Sequence, residues 1–70
     1  MMPLTLADPG EELIIKRVGG SPEVRQHLEN LGFVPGGNVI IVSKIGENLI
    51  VNVKESRIAV DRELAKRIMI

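Results

Sequence analysis

A chain of 70 residues without a single cysteine has to fold on its apolar core alone. Disulfide staples, thiolate metal sites and cysteine nucleophiles are ruled out, and the lack of thiols suits a reducing compartment. That core must be aliphatic, because the sequence holds one Phe and neither Trp nor Tyr. Chains this short bury a smaller share of their surface than larger ones and are marginally stable. Residues 1–70 therefore read as one domain, with little stability left over for a strained, water-excluding catalytic pocket. The hydroxyls of Thr5, Ser21, Ser43 and Ser56 have only His27 as an imidazole base. A Ser-His-acid arrangement needs a packed pocket around it. No enzymatic activity is expected.

Charge narrows the partners. Nine Lys and Arg balance nine Asp and Glu. A nucleic-acid binder would show a basic excess, since phosphate neutralisation supplies much of its affinity. The single aromatic also leaves no platform on which to stack bases or to line a groove for proline-rich peptides. The N-terminal Met1-Met2-Pro3-Leu4-Thr5 lacks the charged and apolar regions of a signal peptide. The longest apolar run, Val39 to Val42, is four residues, far short of a bilayer span. A cytoplasmic chain without membrane insertion is expected.

Turn residues divide the sequence into short elements. Asp8-Pro9-Gly10 closes a lead-in, and Glu11 to Val18 carries enough β-branched residues for a strand, although its period is blurred. Ser21-Pro22-Glu23 is a helix start: a hydroxyl cap, proline at the first helical position and a carboxylate in the positive first turn. Val24, Leu28 and Leu31 then form one apolar stripe, and Gly32 stands where a left-handed helix stop is needed. Asn38 to Ile45 reads as a strand apolar on both faces, and Gly46-Glu47-Asn48 as its hairpin turn. Leu49, Val51 and Val53 alternate with polar or outer residues. A Glu55-Ser56 turn precedes the strand Arg57 to Val60, and Asp61 caps a helical turn reaching Lys66. Arg67 to Ile70 ends the chain as a strand with Ile68 and Ile70 inward. The expected fold is mainly β. It is a small five-stranded closed barrel with one helix after the first strand and a helical turn before the last.

These same residues carry a family resemblance. The opening Leu6-Ala7-Asp8-Pro9-Gly10-Glu11, the stretch Arg25 to Gly36, the strand Val39 to Val42 and the ending Ser56 to Ile68 together resemble the FeoA family of ferrous iron transport proteins. They equally resemble the SH3-like domain that this family shares with iron-dependent repressors. Leu28-x-x-Leu31-Gly32-hydrophobic-x-Pro35-Gly36 is the most specific element. The resemblance implies an SH3-like barrel acting as a cytoplasmic accessory of ferrous iron uptake. It would work by contact with a membrane transporter that carries a GTP-binding domain, and would lie at the inner membrane through that partner. The repressors place metal ligands near the start of this helix; here that stretch reads Ser21-Pro22-Glu23-Val24-Arg25.

Partner-binding candidates are Arg25, Leu28, Leu31, Gly32, Phe33, Pro35 and Gly36, an apolar loop and helix end. Against that reading stands a purely structural one, in which Phe33 plugs the barrel end and Pro-Gly turns the chain. Glu23 and His27, four residues apart on the helix, are the only candidate metal pair, and stable sites need three or four donors. No cofactor is expected beyond weak binding of Fe²⁺ or another divalent transition metal. Gly19-Gly20 and Gly36-Gly37 lack the Lys-Ser/Thr of a phosphate loop and read as turns. The alternatives are a metal-sensing SH3-like domain and a nucleic-acid-binding barrel, the latter opposed by the charge balance. An exposed edge strand leaves self-association open.

Overall fold

The computed structural model describes residues 1–70. In chain order it contains a 3₁₀ turn at Leu4–Leu6, strands β1 (Glu12–Ile14) and β2 (Arg17–Val18), helix α1 (Pro22–Leu31), strands β3 (Asn38–Ile45), β4 (Asn48–Val53) and β5 (Ser56–Asp61), helix α2 (Arg62–Ala65) and strand β6 (Ile68–Met69). The hydrogen-bonded order is β1-β3-β4-β5 in one antiparallel sheet and β2-β6 in a second.

The meander β3-β4-β5 follows from the alternating pattern read in the sequence. Leu49, Val51 and Val53 are all buried, facing Val60 and the inner side of β3. The β4-β5 turn falls one residue earlier than expected, on Lys54-Glu55, and both residues take positive φ (48° and 65°). That is the geometry of a two-residue type I′ hairpin, whose twist matches the flanking strands. Neither residue is Gly or Asn, so the pairing of the strands overrides local preference there. Asn48, expected in the preceding turn, pairs with Ile45 as the first residue of β4. A register shift between Ile41 and Ser43 bulges β3 at Val42, which turns outward and is exposed.

The expected single strand Glu11 to Val18 is two strands, and this raises the strand count from five to six. Ile15 donates its N–H to Gly37 O (2.8 Å) and accepts from Gly36 N–H (2.7 Å), while Lys16 N–H donates to Met69 O (2.8 Å). The backbone thus leaves one sheet and joins the other between Ile15 and Lys16. The switch shifts the phase of alternation: Ile15 and Val18 are buried, whereas Ile14, Lys16 and Arg17 face solvent. The blurred period has this cause. The expected continuous barrel is instead two sheets wrapped about a common core, with their ladders separate at this corner.

Fifteen aliphatic and aromatic residues from every part of the chain form that core, and Phe33 is the largest of the fully buried side chains. No polar side chain is buried, so no internal hydrogen-bond network is at stake. The lead-in contributes more than expected. Leu4 and Ala7 are fully buried, tied by Ala7 N–H to Leu4 O (3.1 Å). The C-terminal strand is as the sequence pattern indicates, with Ile68 and Ile70 inward and Met69 half-buried.

Helix α2 is only four residues long and depends on its cap: Asp61 Oδ1 accepts from Leu64 N–H at 2.8 Å. It buries Ala65 completely. On its outer face the Lys66 ammonium sits 2.8 Å from Glu63. Hydrogen bonding to Lys66, then its charge, holds the Glu63 carboxyl below its ordinary value. A lowered folded-state value means that this contribution is present above the unfolded value and is lost as pH falls through the folded one. Removing the cap is the more consequential change. Asp61→Ala should lower stability by about 1 kcal/mol in urea denaturation, with an unchanged m-value.

Candidate functional site

Helix α1 is defined at both ends by side chains and backbone that the sequence announces. Ser21 Oγ accepts from Val24 N–H (3.3 Å), Pro22 opens the helix and Glu23 lies in its first turn. At the other end Gly32 takes φ 111°, a left-handed conformation. Its N–H donates to Glu29 O (2.9 Å), and Phe33 N–H reaches back to Leu28 O (3.0 Å). This pair of bonds is a Schellman stop, and its usual apolar contact is supplied by Leu28 and Phe33, both fully buried.

The chain then turns at once. Gly37 N–H donates to Val34 O (3.0 Å), with Pro35 at the second position and Gly36 at the third with φ 88°. That is a type II turn, which requires positive φ at the third position. Gly36 and Gly37 in turn pair with the backbone of Ile15, the buried residue at the sheet corner. The loop is therefore clamped on both sides, and its tip projects outward: a Cβ added at Gly36 would meet nothing within 4 Å.

The seven partner-binding candidates separate into two groups. Arg25, Pro35 and Gly36 are exposed and Leu31 is half-buried, so these four are accessible, Leu31, Pro35 and Gly36 at the helix end and loop tip and Arg25 nearer the helix start. Leu28, Gly32 and Phe33 are a correction: all three are buried and hold the surface in place without presenting any of it. The reason is the Schellman stop, which draws its two apolar residues into the core. Val34, half-buried beside Pro35, belongs with the accessible group. Glu23 and His27 are both exposed on α1, and no group of three His, Cys, Asp or Glu converges anywhere in the chain. A closed metal site needs more donors than this pair supplies.

Two further surface features were not legible in the sequence. An open groove of about 510 Å³ lies between the N-terminal Met1 and Met2, β1 and Ile70. Ile14 and Met1 are more than half exposed there, because the sheet corner turns Ile14 outward. A smaller recess of about 230 Å³ lies beside Lys44, Glu47 and Arg62. In it Lys44 Nζ donates to Thr5 O (3.1 Å), and Arg62 stands 3.7 Å from Glu47. No helix is long and apolar enough to cross a membrane.

Six short antiparallel strands in two sheets, with a helix inserted after β2 and a short helical turn before β6, define an SH3-like domain. The FeoA domain family matches residues 2–70. A relative from Methanocaldococcus jannaschii, named Fe(2+) transport protein A, is 33% identical over 70 residues, covering 100% of this chain and 85% of its own length. The solved structure of the iron uptake regulatory protein FeoA superposes with TM-score 0.88 at 31% identity, covering 97% of this chain and 90% of that one. Stenotrophomonas maltophilia FeoA, solved with zinc and described as a prokaryotic SH3 domain protein, gives TM-score 0.85 at 29% identity, over 99% of this chain and 88% of that one. The chain belongs to the FeoA family of ferrous iron transport accessory proteins.

Two substitutions separate support from surface. Phe33→Ala should cost about 3–5 kcal/mol, comparable with the whole stability of so small a domain, and leave a largely unfolded chain by circular dichroism. Pro35→Ala, on the exposed tip, should change the unfolding free energy measured in urea by less than about 1 kcal/mol. For the metal pair, His27→Ala should leave isothermal titration with Fe²⁺ or Mn²⁺ unchanged.

Proposed function

We propose that this chain is a cytoplasmic accessory of ferrous iron uptake that docks on the GTP-binding domain of a membrane ferrous iron transporter. It stays soluble itself, meets the inner membrane only through that partner, and catalyses no reaction. The observation that carries the reading is the clamped loop: in a family of ferrous iron transport proteins, Val34-Pro35-Gly36 is fixed to the helix stop on one side and to Ile15 on the other. A rigid apolar tip loses little conformational entropy on binding, which favours its use as a docking edge. Half-buried Leu31 adjoins the tip at the helix end, and exposed Arg25 offers a charge on α1. The description of the Stenotrophomonas maltophilia relative as a candidate ferrous iron transport activating factor supports an activating role.

The test is an amide chemical-shift titration with the soluble GTP-binding domain of the cognate transporter, with and without nucleotide. Shifts should concentrate on Arg25, Leu31 and Val34 to Gly36. The double variant Arg25→Glu, Pro35→Ala should weaken binding about tenfold, a change of about 1.4 kcal/mol, while its own spectrum stays folded. A spectrum unmoved at several hundred micromolar partner would overturn this docking site.

A further inference from the structure

We propose that β5 is a self-pairing edge, through which two copies of this chain join antiparallel strands about a two-fold axis at Ala59. The strand lies at the end of the four-stranded sheet and pairs only with β4. Its two-residue turn makes Val53 and Ser56 a hydrogen-bonded pair, so Ser56, Ile58 and Val60 spend their backbone groups on β4. The N–H and C=O of Arg57 and Ala59, and the N–H of Asp61, therefore point away from the sheet. None of them takes part in the hydrogen bonds made by loops, turns or side chains. All three residues are exposed. The opposite edge, β1, is only three residues long, and short edges are a common protection against pairing.

The occupant follows from the charges. In the register centred on Ala59, Ala59 meets Ala59 of the partner subunit and exchanges both backbone hydrogen bonds with it. Arg57 then lies opposite Asp61 of the partner subunit, and Asp61 opposite Arg57 of the partner subunit. Asp61 N–H donates to the facing Arg57 C=O at each end, while the Asp61 carbonyl begins α2. Shifting the register by two residues sets Ala59 opposite Arg57 or Asp61 of the partner subunit and leaves no Arg57–Asp61 pair at either end. Parallel pairing sets Arg57 against Arg57. Only the antiparallel register centred on Ala59 sets Arg57 against Asp61 at both ends, and opposed charges stabilise cross-strand pairs while like charges destabilise them. Both partners have atoms free for it. Arg57 uses Nε on Asn52 (3.2 Å), leaving its terminal nitrogens, and Asp61 uses only Oδ1 for its cap. Ala59 between them sets no bulk at the axis. The edge is separate from the loop surface assigned to the transporter, so the two contacts do not compete for residues.

The sequence has no cysteine, which permits a clean crosslinking test. In a hydrogen-bonded antiparallel pair the facing Cα atoms are about 5.5 Å apart, within disulfide range. Ala59→Cys should form a disulfide dimer under mild oxidation, and Ser56→Cys, whose two copies would lie at opposite ends of the ladder, should not. Adding Arg57→Glu to Ala59→Cys places like charges at both ends and should slow crosslinking roughly tenfold, with the amide spectrum still folded. The unaltered chain should show concentration-dependent dimer by sedimentation at about 1 mM, as suits a small, transient interface. Equal crosslinking at positions 56 and 59, no effect of Arg57→Glu, or a strict monomer at that concentration would each overturn the proposal. So would a β5 edge whose amides respond only to the transporter domain, because the edge would then belong to that partner.

Discussion

The helix stop at Gly32 is the point on which the rest of this small structure depends. A left-handed glycine lets the backbone reverse at the end of α1, and the reversal delivers Leu28 and Phe33 together into the core. Phe33 is the only aromatic available to a chain otherwise built on branched aliphatics. Without a disulfide, its burial is a large part of what separates the folded state from the unfolded one. An L side chain at Gly32 would strain the backbone itself, since φ of 111° lies outside the region such residues adopt readily.

From that stop the structure propagates by backbone bonds. The Pro35-Gly36 turn follows within three residues and fastens onto Ile15, and Ile15 is where the chain passes from one sheet to the other. One short stretch of loop thus ties the helix end, the four-stranded sheet and the β2-β6 pair to each other. The same bonds that organise the fold make the loop tip rigid. Structure and the proposed docking role are therefore not competing accounts of Leu31 to Gly36: buried Leu28 and Phe33 position the stretch, and exposed Pro35 and Gly36 present it.

Much of this was legible in the sequence because the signals are local. The Ser21 cap, Pro22, the Val24-Leu28-Leu31 stripe and Gly32 define α1 with no knowledge of its neighbours, since helix ends are settled by residues within one turn. The alternation of Leu49, Val51 and Val53 and the Asp61 cap are equally local. The family resemblance rested on the same residues, and its reach across the chain is borne out by the match over residues 2–70. Of the candidate site, the sequence indicated which stretch to consider but not which of its residues face outward.

What only the tertiary structure decided concerns bonds between distant segments. The break at Ile15-Lys16 arises because Gly36, Gly37 and Met69 compete for one extended stretch, and this changes the phase of burial and exposes Ile14. The positive φ of Lys54 and Glu55 is imposed by the register of β4 on β5, against the preference of both residues. The free edge of β5 likewise appears only once the strand order is known. The sequence by itself determined where the chain turns and which residues are apolar enough to bury. The fold decided which backbone groups were left unpaired, because hydrogen-bond partners far apart in the chain carry no local signature.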